Sequence, residues 1–153
     1  MQQSISEFMF KDHENIERIY KRFKAELNKP EKDFDELLKT FKNFKWAFER
    51  HIFTEEKAIF ISVKDNNEIF KLVEDIINEH IILTKELKNI ENNLEISNIP
   101  LLETFETLLE KHKKFEDEIL YPKFEELLDD TQKHEIFNRI KESIAYDKKP
   151  ELS

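Results

Sequence analysis

The chain of 153 residues contains neither cysteine nor glycine. Without cysteine it can form no disulfide, has no thiolate nucleophile and holds no cysteine-ligated iron–sulfur cluster. Without glycine it has no glycine-rich phosphate loop, which excludes the common nucleotide-binding motifs. The two absences remove large classes of enzyme before any motif is considered.

The sequence also lacks the features of a membrane, secreted or nucleic-acid-binding protein. It contains no run of 18 apolar residues, and its start, MQQSISEF, lacks the basic and apolar regions of a signal peptide. The 25 basic residues are scattered among 34 acidic ones, so the net charge is −9 and no basic stripe is available for a phosphate backbone. We expect a cytoplasmic protein with neither membrane nor nucleic acid as a partner.

Proline is scarce as well, and the four prolines are Pro30, Pro100, Pro122 and Pro150. Between the first three, apolar residues recur at helical spacing and strand signals are few. The hydrophobic content of 39%, with 14 phenylalanines, is enough for the core of one compact domain. The sequence therefore predicts an all-α fold.

Four long helices and one short helix are predicted from caps and apolar spacing. The first begins near Ser4, which has a capping-box partner in Glu7, and ends before Pro30. The others are predicted at 33–64, 69–94, around 105–119 with Ile119 in the buried stripe, and at 131–145. Short polar links favour an up-down-up-down antiparallel four-helix bundle over residues 1–146, followed by a frayed tail at 147–153.

Six ionisable residues interrupt the apolar stripes of the helices, namely His13, His51, Glu55, His80, His112 and Glu116. Positions four apart in a helix differ by 40° in direction and by about 6 Å along the axis. His51 and Glu55 therefore point the same way, as do His112 and Glu116. The two single histidines replace apolar residues in the other two helices, so each of the four long helices directs an imidazole inward.

The six residues form a repeated unit along the chain: a single histidine, then a histidine paired with a glutamate. The two steps are 51 − 13 = 38 and 112 − 80 = 32 residues, each about one helical hairpin. A bundle with pseudo-twofold symmetry would bring both pairs to one centre. The sequence thus predicts a shared site made by all four helices.

A pair of metal ions explains why an apolar core would contain these residues. Each buried carboxylate without a partner would cost several kcal/mol, whereas two divalent ions supply the charge that the carboxylates need. Nitrogen and oxygen donors without sulfur suit non-haem iron. We expect two iron ions with an oxo or hydroxo bridge, two histidines on each ion, both glutamates bridging, and an open sixth position.

Two alternatives to the di-iron site stay open at this point. Zinc binds such ligands tightly and could occupy the site in a given preparation. A metal-free interaction bundle is the other, and it predicts that replacing His51 and Glu55 with leucine would stabilise the fold and change nothing else.

Four motifs make the sequence resemble the hemerythrin-like, or HHE cation-binding, family. They are DH at 12–13, HIFTEE at 51–56, EH at 79–80 and HKKFEDEILYP at 112–122. The resemblance extends from the first to the fourth helix. It implies a four-helix bundle with a di-iron centre that binds or reacts with dioxygen or nitric oxide.

The third helix departs from the oxygen-carrying hemerythrins, which have two histidines four apart there. In this sequence His80 has Ile76 and Thr84 at that spacing. With four histidines rather than five, the site resembles those of the repair-of-iron-centres proteins and the F-box iron sensor domain. Redox chemistry or sensing is therefore expected in preference to reversible oxygen carriage. The repair proteins usually carry an N-terminal segment with paired cysteines, and this sequence contains no cysteine.

The second bridging carboxylate has two candidates, Glu116 and Asp117. The oxygen carriers bridge with an aspartate five residues after the histidine, which would select Asp117. Five residues correspond to a direction 140° away from His112, whereas four leave only 40°, and the parallel with Glu55 also favours Glu116. Asp117 and Glu56 are then interpreted as solvated residues or as hydrogen-bond partners of the ligands.

The functional hypothesis is a di-iron protein that binds and reacts with dioxygen, nitric oxide or peroxide at an open iron position. Turnover as a nitric oxide or peroxide reductase or oxidase is one form of it, in which an electron-donor protein would be a partner. The alternative is a module that senses or stores oxygen or iron without turnover. The sequence leaves open whether the protein is a monomer or a homodimer.

Overall fold

The computed structural model describes residues 4–146, and all regular elements in this range are helical. They are α1 (Ile5–Leu27), α2 (Phe34–Thr54), the π turn π1 (Glu55–Ile59), a 3₁₀ turn (Phe60–Val63), α3 (Asn67–Glu95), α4 (Glu103–Phe115), the π turn π2 (Glu116–Leu120), α5 (Tyr121–Leu127) and α6 (Asp130–Tyr146). The predicted all-α bundle with a short C-terminal helix is confirmed. The predicted tail at 147–153 lies outside the described residues. Within the described range, no helix is long and apolar enough to cross a membrane.

Side-chain caps fix where three of the helices begin. The side chain of Ser4 accepts a hydrogen bond from the backbone N–H of Glu7 at the start of α1, as the sequence predicts. Asp33 and Asn66 cap α2 and α3 in the same way. Such caps typically stabilise a helix by about 1 kcal/mol each, and they define the short links that reverse the chain.

Two apolar cores fill the bundle, one on each side of a polar layer. The phenylalanine core contains Ile16, Tyr20, Phe23, Leu37, Phe41, Phe44, Ala47, Phe48, Leu83, Leu87, Ile90, Leu94, Leu102, Phe105 and Leu109. The aliphatic core contains Ile5, Met9, Ala58, Ile59, Phe60, Val63, Ile69, Val73, Ile76, Leu120, Tyr121, Phe124, Leu128, Ile136 and Ile140. Helix α6 contributes Ile136 and Ile140 to the aliphatic core.

The order of these residues along the chain defines the topology. Helix α1 runs from the aliphatic to the phenylalanine core, α2 runs back, α3 repeats the direction of α1, and α4 with α5 returns. On α1, Met9 of the aliphatic core and Ile16 of the phenylalanine core lie on either side of His13. The other three stripe histidines also lie between residues of the two cores. The up-down-up-down arrangement thus places all four imidazoles at one level.

The π turns change the register predicted for the second and fourth helices. The backbone N–H of Phe60 donates to the carbonyl of Glu55, and that of Tyr121 donates to Glu116, five residues back instead of four. Each π turn inserts one extra residue, which rotates the following side chains. The prediction that Ile119 is buried is therefore wrong: Ile119 is 46% exposed, and Leu120 is buried in its place. Regular α-helix likewise ends at Thr54.

Candidate metal centre

The six stripe residues converge on one buried centre, with exposed fractions of 0–5%. Their donor atoms form two overlapping groups, within each of which all atoms lie within 4.8 Å of one another. One group is His13, His51 and Glu116, and the other is Glu55, His80, His112 and Glu116. Glu116 belongs to both groups, so its carboxylate joins them.

The first group is tightly packed around the Nε2 atoms of two histidines. These atoms of His13 and His51 are 3.1 Å apart, and Glu116 Oε1 lies 2.9 Å from the former and 3.5 Å from the latter. In the second group, His80 Nε2 is 3.0 Å from Glu55 Oε1, and an equivalent contact of 3.2 Å joins the other pair, His112 Nε2 and Glu116 Oε2.

Two observations indicate that metal cations fit this centre. Four of the buried atoms have no hydrogen-bond partner within residues 4–146, namely Glu55 Oε1, His80 Nε2, His112 Nε2 and Glu116 Oε2. Such buried polar atoms are costly unless a ligand satisfies them. The spacing also fits, since two donors at right angles and about 2.1 Å from one ion lie about 3 Å apart. The centre is a buried His/Glu cluster suited to binding metal cations.

Each of the four histidines donates a hydrogen bond from its Nδ1–H group to a carboxylate oxygen. The Nδ1–oxygen distances are 2.8 Å for His13–Asp117, 2.6 Å for His51–Asp12, 2.8 Å for His80–Glu56 and 2.7 Å for His112–Glu79. An Nδ1–H group bonded in this way fixes the tautomer in which Nε2 presents its lone pair to the centre. All four imidazoles are thus oriented and made more basic by a neighbouring carboxylate.

The pairing of histidines and carboxylates follows the internal repeat. In each repeat, the acid that precedes the single histidine bonds the paired histidine of the same repeat: Asp12 bonds His51, and Glu79 does the same for His112. The acid that follows each glutamate bonds the single histidine of the other repeat. Asp117 accepts from His13, and Glu56 accepts from His80. These bonds connect the helices of the two repeats.

Only some of these four outer carboxylates, Asp12, Glu56, Glu79 and Asp117, are predictable from the sequence. Glu56 and Asp117 had two interpretations, and both residues are hydrogen-bond partners of histidines. Asp117 is occupied by His13 Nδ1, while Glu116 points into the centre. The role of Asp12 was not predicted. For Glu79 the sequence favoured a salt bridge over a hydrogen bond near the site, since its position is 100° around the helix from His80. The signal of Asp12 and Glu79 in the sequence is that an acid stands directly before each single histidine.

The carboxylates favour protonated imidazoles in the metal-free centre. Burial lowers the pKa of His112, but the charge of Glu116, whose Oε2 lies 3.2 Å from His112 Nε2, outweighs burial and raises that pKa to about 10. Burial also lowers the pKa of His51, yet the charge of Glu55 and further hydrogen bonds hold it well above its usual value. A metal ion must displace these protons, so cation binding competes with protonation.

Tyr121 is a buried residue at the centre that the sequence reasoning missed. Its hydroxyl donates a hydrogen bond to Glu55 Oε2. Burial, followed by the charges of Glu116 and Glu55, raises the pKa of Tyr121 well above its usual value, so the hydroxyl remains a donor. The corresponding residue of the other repeat is Phe60, whose ring stacks on His80 with 6.3 Å between centroids. Both stand five residues after a stripe glutamate, a spacing that could have identified them.

Comparison with protein families gives one match: the model of the hemerythrin HHE cation binding domain matches residues 4–142. The match includes all six stripe residues and the four outer carboxylates. Comparisons with curated proteins and with solved structures gave no match.

Proposed function

The chain belongs to the hemerythrin HHE cation-binding family, and from that premise we propose that its centre holds two iron ions and binds dioxygen, nitric oxide or peroxide. The observation that carries the proposal is the pair of donor groups that share Glu116. Two ions that share one carboxylate account for six inward donors better than one ion does. The lack of sulfur among the donors supports iron, which suits nitrogen and oxygen ligands.

The proposed assignment gives each ion two imidazoles. His13 and His51 would hold one ion, and His80 and His112 the other. Glu116 would bridge through both oxygens, since Oε1 lies 2.9 Å from His13 Nε2 and Oε2 lies 3.2 Å from His112 Nε2. An oxo or hydroxo group would complete the bridge. Iron would supply the redox chemistry and the open position for the small ligand.

The residues around the centre would control what reaches the iron. The two apolar cores bury the donors, with exposed fractions no greater than 5%, so bulk water is excluded. The outer carboxylates are more accessible: Asp117 is 23% and Glu79 is 42% exposed at the side chain. Each therefore connects a buried imidazole to the surface, where protons displaced by iron can leave. A small uncharged ligand fits this environment better than a large polar substrate does.

The test is the iron content and visible spectrum of freshly purified protein, before and after anaerobic reduction and exposure to nitric oxide. We expect about two irons per chain and oxo-bridge absorption that changes on reduction. The double variant His51→Leu, Glu55→Leu is the matched control, since it removes donors from a centre that remains buried. If the original chain stays folded but takes up no ferrous iron, the proposal is contradicted. Tight binding of zinc but not iron would reject di-iron chemistry.

A second candidate function is iron or oxygen sensing without turnover. It is favoured by the position of the centre between the two cores, where each of the four long helices supplies a donor. Iron bound there would hold the helices together, so iron loss would be reported as a change in stability. Substrate consumed over many cycles with a reductant, such as an electron-donor protein, would favour catalysis. One stable adduct per site, or unfolding on iron removal, would favour sensing.

A further inference from the structure

Tyr121 and Phe60 occupy equivalent positions in the two repeats, and only one of them carries a hydroxyl. Each follows a π turn, and its backbone N–H bonds the carbonyl of the glutamate five residues before it. Both rings are buried, with exposed fractions of 0% for Tyr121 and 3% for Phe60. The repeats therefore differ here by a single hydrogen-bond donor beside the metal centre.

The hydroxyl of Tyr121 acts on the glutamate of the other repeat. It donates to Glu55 Oε2, while Oε1 of the same carboxylate lies 3.0 Å from His80 Nε2 and 3.3 Å from His51 Nε2. Oε1 has no hydrogen-bond partner among the described residues. One oxygen of Glu55 is thus free for a cation, and the other is engaged by the phenol.

Glu116 does not have this restriction. Its Oε1 lies 2.9 Å from His13 Nε2, and its Oε2 lies 3.2 Å from His112 Nε2 and has no hydrogen-bond partner in the part of the chain that the structure describes. Phe60, the counterpart of Tyr121, has no polar atom to offer a carboxylate and lies nearly parallel to the ring of His80, at 9°. Both oxygens of Glu116 therefore face imidazoles of the centre.

We propose that Tyr121 is a positioning residue that keeps Glu55 Oε2 away from the bound cations, so that the two glutamates serve the centre unequally. The inference rests on the proposed function, because it concerns the same site. A buried carboxylate oxygen needs a partner, and without the phenol the nearest alternative is a cation. Removing the hydroxyl would turn Glu55 into a competitor for the position that a small ligand needs.

The test uses Tyr121→Phe, which removes one oxygen atom and keeps the ring. Tyr20→Phe is the matched control, since Tyr20 is a buried tyrosine of the phenylalanine core whose ring packs on Phe44. Both variants and the original chain are loaded with ferrous iron, oxidised, assayed for iron and titrated with azide by visible absorption. We expect equal iron content in all three. Tyr121→Phe should bind azide roughly tenfold or more weakly, because a tethered carboxylate competes at a high effective concentration.

Three results would overturn the inference. The first is equal azide affinity in Tyr121→Phe and the original chain at equal iron content. The second is loss of iron from Tyr121→Phe, because the hydroxyl would then hold Glu55 as a ligand instead of restraining it. The third is failure of the original chain to take up iron. This result would also overturn the proposed function, and it differs from the first two because it is seen in the original chain without any variant.

A double-mutant cycle tests whether Tyr121 acts through Glu55. The cycle compares Glu55→Ala with Glu55→Ala plus Tyr121→Phe, both loaded to the same iron content, and the second change should then cause no further change in azide affinity. If the full weakening persists without the Glu55 carboxylate, the hydroxyl acts on another group and the inference fails. Circular dichroism of each variant establishes that the helices remain folded before the affinities are compared.

Discussion

The two repeats of the centre carry the same kinds of side chain in the same order. The first consists of Asp12, His13, His51, Glu55 and Glu56, and the second of Glu79, His80, His112, Glu116 and Asp117. Each repeat directs two imidazoles and one carboxylate inward, and each supplies two outer acids that orient histidines. The repeats differ in how their glutamates are held: among the described residues, a phenol donates a hydrogen bond to Glu55 and none donates to Glu116.

Features present in both repeats serve cation binding as such, whereas a feature present in one repeat would make two cation positions different. Histidine donors and their outer carboxylates are duplicated, which indicates that both halves need the same orientation and basicity. The Tyr121 hydroxyl occurs on one side only, so a symmetric framework acquires one asymmetric hydrogen bond. If the centre holds two ions as proposed, unequal glutamates would give them different surroundings.

The largest effect is expected from removing one glutamate or the other. Glu116 contributes to both donor groups, whereas Glu55 contributes to one. Glu116→Ala should therefore abolish most of the iron binding, from about two ions per chain to nearly none, and Glu55→Ala should retain about one. The measurement is iron per chain after anaerobic loading and gel filtration. Equal losses in the two variants would show that the glutamates are equivalent despite their different contacts.

A large effect of opposite sign is expected for the metal-free fold. Replacing His51 and Glu55 together with leucine removes two buried polar groups, and such replacements are often neutral or stabilise proteins by about 1–4 kcal/mol. The matching variant of the second repeat, His112→Leu with Glu116→Leu, should behave similarly. Urea unfolding with a chelator measures the free energy of unfolding. The free energy of unfolding of the original chain should exceed that of both variants only when iron is added. A higher value for the original chain without iron would contradict this prediction.

A smaller effect is expected from the outer carboxylates, because they act through the histidines. Asp12→Asn and Glu79→Gln are matched changes in the two repeats, since each acid bonds the paired histidine of its own repeat. Each should weaken metal affinity about 10–100-fold without changing the number of ions bound at saturation. Competition with a chromophoric chelator measures the affinity. Affinity lost in one variant only would break the symmetry of the outer layer.

The sequence was sufficient to predict the bundle and the six inward residues, because an i, i+4 pair in a helix has a direction that needs no tertiary information. All six lie at one level, and their role as metal ligands stays a prediction. The π turns could not be predicted, since Glu55–Ile59 and Glu116–Leu120 contain no proline or glycine to mark a break. Ile119 was misplaced for that reason.

Contacts between helices were also beyond the sequence. Tyr121 and Glu55 are 66 residues apart, and their hydrogen bond depends on how two helices are rotated about their axes. The same is true of Asp117 and His13, which are separated by 104 residues. Spacing along one helix gives the direction of a side chain, whereas its partner depends on packing that only the folded bundle defines.

The smallest predicted effect is the pH dependence of the metal-free protein. The pKa values of His51 and His112 are raised above 6.5, to about 10 for His112, so their contribution to stability is complete below pH 6.5 and is lost as pH rises towards 10. The free energy of unfolding, measured in urea with a chelator, should decline across that range. The leading attraction is Glu55 for His51 and Glu116 for His112, so Glu55→Gln and Glu116→Gln should each reduce the slope. If only one of the two variants reduces the slope, the histidines of the two repeats differ in how strongly their glutamates raise the pKa.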